Sequence, residues 1–230
     1  MGLATGRMPR ACLGLARDAR LSGPHVVHNG AMVVHGGETL RTWPLARSQV
    51  DALLALCRQR RLYAEVYVGD GYWVTDTRAS AHTHWDMLGT APEGTVEAAD
   101  LDRVIKASVL LFDEPVEETI AALEAAGLAT AIAKSPTMPG VSFVNVTTPG
   151  ADKGAAVTVA AERLGCGLPG VMAVGDAPND LSMLAVAGTA VAMGQAAPEI
   201  LQAAHLVVPE IDDDGVAHAL EAAVAWRRGA

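Results

Sequence analysis

The chain has 230 residues and a mass of 23.8 kDa, with half its residues hydrophobic and 19% charged; that is enough to bury a sizeable core as one large or two small domains, and it excludes disordered and low-complexity proteins. With 26 acidic against 17 basic side chains the net charge is −9, so no basic stripe is present to neutralise a nucleic-acid backbone. The mean hydropathy of +0.24 comes largely from alanine, and no run approaches the roughly 20 apolar residues of a membrane-spanning helix.

The first ten residues are charged and broken by Pro9, which is not the pattern of a secretory signal. Cys12, Cys57 and Cys166 form no C-x-x-C pair, and a reducing, cytoplasmic setting is the expectation. Strands are predicted at 25–28, 31–34, 62–68, 107–112, 141–147 and 170–175, and the turns Asn29-Gly30, Gly36-Gly37 and Asp70-Gly71 read as hairpin connections. Helices are predicted where apolar residues share a face: Val50, Leu53, Leu54 and Cys57; Val116, Ile120 and Leu123; Val157, Ala161 and Leu164; Val216, Leu220 and Val224. The alternation reads as an α/β fold, and 170–191 as strand, tight turn, short helix and strand of a parallel sheet. The stretch from about 45 to 148 differs, with alternating strands and a polar loop at 76–98, and is expected to be an inserted α+β domain. The expected division is therefore 1–44 and 149–230 as one domain with 45–148 between.

Three segments could carry chemistry. In Val171-Met-Ala-Val-Gly175-Asp176-Ala-Pro178-Asn179-Asp180, an apolar strand delivers Asp176 to its C-terminal end, where open α/β sheets place ligands, and Pro178 starts the next helix. Two carboxylates and an amide so close together suit a hard cation such as Mg²⁺; the alternative is that Asp176 is an N-cap and Asp180 a partner of the helix dipole. In Gly150-Ala-Asp152-Lys153-Gly154, one of only three lysines opens a helix running to about Leu164. A cation is disfavoured there by the dipole and calls for an anion nearby, unless Lys153 is simply paired with Asp152. In Leu3-Ala-Thr5-Gly6-Arg7, a hydroxyl and glycine amides can meet a phosphate, although threonine is also an ordinary N-cap.

Taken in this order, the segments resemble the haloacid dehalogenase-like superfamily, specifically its Cof-like phosphohydrolases, over nearly the whole chain. Leu-Ala-Thr5-Gly6-Arg7 is similar to that family's second motif, Asp152-Lys153-Gly154 to its third, and Gly175-Asp176-Ala-Pro-Asn179-Asp180 with Met183-Leu184 to its fourth. His28-Asn29-Gly30-Ala31, Val191-Ala-Met193-Gly194 and Asp214-Gly215-Val216-Ala217 match further Cof-like signatures. The resemblance implies a Rossmann-like parallel-sheet core with an inserted α+β cap, acting with Mg²⁺ on a small phosphorylated metabolite, with neither nucleic acid nor membrane as partner. It implies Thr5, Lys153 and Asp176 as catalytic residues. Thr5, Gly6, Arg7, Asn29, Lys153 and Asn179 would surround the phosphate, and Asp176 and Asp180 would serve the metal.

The family's first motif, a strand followed by Asp-x-Asp-Gly-Thr, has no counterpart before Thr5, and with it go the aspartyl nucleophile, a second catalytic Asp, one Mg²⁺ ligand and the first, central strand. The chain as written is therefore expected to show negligible turnover, or to be a remnant that binds a phosphorylated ligand or a partner. Asp100-Leu-Asp102 reads as a solvated helix start, and Asp212-Asp213-Asp214-Gly215 as the acidic cap of the last helix, so neither replaces it. His82 and His84, if on a strand, would share a face and could bind metal, but a polar loop is the plainer account.

Overall fold

The computed structural model describes residues 1–229, with side chains through Ala225. The chain forms two compact units, Met1–Ala151 and the segment from Asp152 onward. Helices and strands alternate and the second unit holds a parallel sheet, so the α/β class read from the sequence is the observed one.

The first unit contains two sheets. β1 (His25–Val27), β2 (Met32–His35) and β3 (Glu38–Thr42) form an antiparallel meander, with Ala4 bridging Val26 in parallel. The pairs β1–β2 and β2–β3 turn through residues 28–31 and 36–37, as Asn29-Gly30 and Gly36-Gly37 anticipate. The helices are α1 (Leu13–Asp18), α2 (Arg47–Arg60), α3 (His82–Leu88) and α4 (Val116–Ala125). The larger sheet is built from β4 (Tyr63–Val68), β5 (Gly71–Val74), β6 (Gly94–Thr95), β7 (Lys106–Leu111), β8 (Ala129–Lys134) and β9 (Ser142–Thr147), in the order β6-β5-β4-β7-β9-β8. Its turn between β4 and β5 is Gly69-Asp70, one residue earlier than expected.

α2 forms because Gln49 accepts the Ala46 N–H at the helix start, and it ends at Arg61, which has a left-handed backbone. The face spaced at Val50, Leu53, Leu54 and Cys57 is buried, packed in one core with Ala64 and Val66 of β4 and Val109 of β7. The other side of the sheet carries an aromatic core of Tyr63, Tyr67, Tyr72 and Phe143. Within it Glu65 is fully buried and accepts from Tyr63 Oη (3.1 Å), Tyr67 Oη (2.5 Å) and His84 Nδ1 (2.9 Å).

Residues 82–88 are helical, so His82 and His84 do not share a face. His84 is buried against Glu65 and the Phe143 ring, while His82 is exposed beside Trp85. The paired-histidine arrangement a strand would provide is absent.

The second unit runs through α5 (Lys153–Arg163), β10 (Met172–Gly175), α6 (Leu181–Val186), β11 (Thr189–Met193), α7 (Pro198–Ala203), β12 (Leu206–Val208) and α8 (Gly215–Gly229). The three strands are parallel, in the order β10-β11-β12. In α8 the stripe Val216, Leu220 and Val224 is the exposed one, each residue at least 39% accessible, and Ala219 is the buried position. Periodicity locates an apolar stripe but not the one that meets the sheet, and here the small residue is the one at close packing distance. Among the described residues no helix is long and apolar enough to cross a membrane.

Leu53 is 1% exposed, so Leu53→Ala is expected to cost about 2–5 kcal/mol. Chemical denaturation followed by far-UV circular dichroism checks this; a loss well under 1 kcal/mol would mean that α2 is not seated on the sheet as described.

Candidate active site

In the second unit β10 is an uninterrupted apolar strand that ends at Gly175, which places Asp176 at its C-terminal tip. The backbone then turns through Pro178–Asp180 into α6. Asp180 is folded back under this turn. Its Oδ2 accepts the backbone N–H groups of Asp176 (3.0 Å) and Ala177 (3.1 Å), and its Oδ1 accepts Lys153 Nζ at 2.6 Å. Both side chains of the Lys153–Asp180 pair are 6% exposed. Gly175 is required here, since a Cβ at this position would stand 2.6 Å from Asp180 Cβ.

The start of α5 shows why Lys153 reaches Asp180. Asp152 is occupied as the N-cap, its Oδ1 accepting the Ala155 N–H at 2.9 Å, so the alternative pairing of Lys153 with Asp152 does not occur. The Gly154 N–H donates to Ser182 Oγ at 3.1 Å, which fixes the first turn of α5 against α6. Asp176 itself is exposed, and its Oδ2 accepts Gln195 Nε2 at 3.2 Å, while Gln195 Oε1 accepts the Ile211 N–H. Asn179 sits in the middle of the Pro178–Asp180 turn. The structure thus brings Lys153, Asp176, Asn179 and Asp180 onto one strand end.

The other predicted residues lie in the first unit. Thr5 pairs with β1 by donating its N–H to Val26 O, and Thr5 Oγ1 accepts the Arg7 N–H at 3.2 Å. Because that oxygen is used as an acceptor, its O–H remains a donor. The buried Asn29 lies against Gly6, where a Cβ would meet Asn29 Oδ1 at 2.6 Å. A side chain at position 6 would force the Asn29 amide to move. Thr5, Gly6, Arg7 and Asn29 form one cluster.

Three neighbours were not singled out from the sequence: Ser182, Gln195 and Lys106, whose Nζ donates to Gly6 O at 3.0 Å. Ser182 and Gln195 act through tertiary contacts that no spacing encodes. Lys106 carries a signal in hindsight, as a lysine opening an otherwise apolar strand.

A parallel βαβ unit with a buried lysine–carboxylate pair under a strand end places the chain among the α/β proteins that keep their chemistry at the C-terminal edge of the sheet. The family model for haloacid dehalogenase-like hydrolases matches residues 1–220, and the chain belongs to that family. It is 34% identical over 83 residues to a phosphoglycolate phosphatase of Methanothermobacter thermautotrophicus, a match covering 36% of this chain and 38% of that protein. The chain thus spans well under two thirds of that relative's length. The Bacillus subtilis protein YkrA is 26% identical over 226 residues, covering 95% of this chain and 82% of that protein. Among solved structures, a sugar phosphatase of haloacid dehalogenase subclass IIB superposes with a TM-score of 0.80 at 26% identity, over 96% of this chain and 84% of the other. A superfamily phosphatase from Bacteroides thetaiotaomicron shares the fold with a TM-score of 0.78 at 24% identity, over 96% and 80%.

The buried pair yields a test. Lys153→Met leaves Asp180 as a buried carboxylate without its counter-ion and is expected to destabilise the protein by about 3–5 kcal/mol, whereas Asp176→Asn at an exposed position should stay within about 0.5 kcal/mol. Urea unfolding of the two variants checks the contrast; equal, small effects would mean that the Lys153–Asp180 contact is not a structural bond.

Proposed function

We propose that the chain carries the phosphate- and Mg²⁺-binding elements of a phosphohydrolase of small phosphorylated metabolites. The observation that carries this reading is the lysine held beneath the strand end by Asp180, next to the exposed carboxylate of Asp176. Phosphoryl transfer depends chiefly on positioning and on stabilising negative charge; these groups supply the first, and Lys153 together with a cation at Asp176 would supply the second. Family membership and the names of the relatives, among them a phosphoglycolate phosphatase and a sugar phosphatase, support a phosphate monoester as substrate.

In this reading Lys153, with Asn179 beside it, offsets phosphoryl charge at the strand end of the second unit, and Thr5, Gly6, Arg7 and Asn29 form a phosphate-binding turn in the first, the Thr5 hydroxyl being its hydrogen-bond donor. The donor set fits a hard cation through one carboxylate. Asp176 is exposed at the strand end, and no group of three metal-ligating side chains occurs among the described residues. This suits Mg²⁺, which keeps several waters and shares its shell with substrate phosphate. Bound there, the ion would supply Lewis-acid neutralisation of phosphoryl oxygens. Asp180 is assigned a different task from Asp176. Its two oxygens already hold three N–H donors, so it positions Lys153 and the Asp176 backbone rather than ligating the ion directly.

None of these residues is assigned the nucleophile, and the 230 residues contain no Asp-x-Asp-Gly-Thr segment. The chain as given is therefore expected to bind inorganic phosphate with Mg²⁺ but to hydrolyse p-nitrophenyl phosphate no faster than buffer. Lys153→Ala and Asp176→Ala should each weaken phosphate binding at saturating Mg²⁺ by about tenfold or more, the worth of one charged hydrogen bond. Calorimetric titration and a p-nitrophenol assay check these points. Mg²⁺-dependent turnover would show a nucleophile elsewhere in the chain, and undiminished binding in both variants would sink the site.

A further inference from the structure

Lys106 is the first residue of β7 and 5% exposed, an ammonium in the interior of the first unit. Its Nζ lies 4.8 Å over the Tyr67 ring and gives a hydrogen bond to Gly6 O, 100 residues away in sequence. No carboxylate among the described residues forms an ion pair with it; nearby Glu65 is engaged by Tyr63, Tyr67 and His84. A buried cation without a counter-ion is unfavourable unless something compensates it.

Its partner is the one carbonyl of the Thr5–Arg7 turn that the backbone leaves over. Thr5 O accepts the Asn29 N–H at 3.0 Å and Arg7 O accepts the His28 N–H at 2.9 Å, both from the β1–β2 connection. Gly6 O goes to Lys106. All three carbonyls of the turn are thereby drawn into the protein, which leaves its hydroxyl and guanidinium donors for an anion.

Resting on the phosphate reading of Thr5–Arg7, we infer that Lys106 is a positioning residue for that turn: it holds the Gly6 carbonyl inward and places a buried positive charge behind the anion. The cation, near a Glu65 carboxylate that three other donors already engage, then lends its charge to the ligand. The interaction also ties a strand of the larger sheet to the turn.

The inference has a pH signature. Burial draws the Lys106 ammonium down to about 8, opposed by the Glu65 carboxylate. The lysine is charged below that value and neutral above it, so affinity for the phosphate dianion should be full below about pH 8 and fall as pH rises through it. The titratable groups that face it directly are His28 on the β1–β2 connection and Glu65 and Tyr67 on β4; Tyr72 on β5 stacks on Tyr67, His84 on α3 bonds Glu65, and Arg7 follows the Gly6 that Lys106 holds. His28 is pushed down to about 3 by burial and by Lys106, and burial raises both tyrosines above their ordinary value. None of these three changes charge between pH 7 and 9.

The experiment compares the full chain with Lys106→Met, Lys106→Arg and Thr5→Val. Affinity for inorganic phosphate is read by calorimetry from pH 7 to 9, and hydrogen exchange at the His28 and Asn29 amides by NMR. Lys106→Met is expected to bind phosphate about tenfold more weakly, to lose the decline above pH 8 and to exchange faster at both amides, with Lys106→Arg restoring affinity and protection. Methionine removes a buried charge without shortening the side chain, so the variant should fold. Normal affinity in Lys106→Met with weakened binding in Thr5→Val overturns the role of Lys106 alone. If wild type or Thr5→Val shows that the turn binds no phosphate, the functional reading falls, and the inference with it. Unchanged amide exchange in Lys106→Met overturns the positioning itself.

Discussion

The carboxylate of Asp180 is the point on which the second unit turns. It joins three separate pieces of chain: the first residue of α5 through Lys153, the tip of β10 through the Asp176 amide, and the turn into α6 on which it sits. Two charges this far from water are costly to bury, and such a pair persists only when its remaining valences are satisfied. Asp180 meets that condition with two backbone donors in addition to the lysine. The absence of a side chain at Gly175 is what allows the carboxylate to lie so close beneath the strand. The result is a strand end whose geometry is fixed by bonds at its back, leaving Asp176 exposed at its front.

The first unit uses the same device with different chemistry. The Thr5–Arg7 turn is held from behind by two amides and an ammonium, each taking one carbonyl, while Gly6 allows Asn29 to close over it. In both places a short polar segment is oriented by hydrogen bonds on the protein side, so that on the proposed reading its outward groups need not reorganise when an anion arrives. Preorganisation of this kind is where electrostatic stabilisation acquires most of its strength. A buried cation stands behind each segment. Lys153 has Asp180 as its counter-ion, and Lys106 has none among the described residues.

What the sequence could reveal follows from which interactions are local. The strand 170–175, its turn and α6 are contiguous and strongly patterned, and the parallel pairing of β10 with β11 was legible from them. α2 was equally plain because its four apolar residues fall on one face. β8, Ala-Thr-Ala-Ile-Ala-Lys, is an edge strand whose alternation is blurred by alanine, and it was missed. Residues 82–88 read as a loop because their two histidines, tryptophan and aspartate look polar, yet His84 turns inward to Glu65 and Trp85 donates to Tyr63. Motif spacing pointed to Lys153, Asp176, Asn179 and Asp180, which the fold brings to one strand end, but could not show that Asp180 faces back toward Lys153. That direction is a property of the turn and not of the spacing.

On the proposed reading, charge explains why metal and phosphate would bind together. Lys153, Asp180 and Asp176 carry one net negative charge between them, a poor host for a phosphate dianion. A divalent cation at Asp176 reverses the sign of the strand end and turns repulsion into attraction. Because the lysine is already engaged by Asp180, it cannot make that reversal alone. The same ion pair that gives the strand end its rigidity thus makes its anion affinity conditional on the cation. The Thr5 turn, with Lys106 and Arg7 uncompensated by any ion pair among the described residues, needs no such partner.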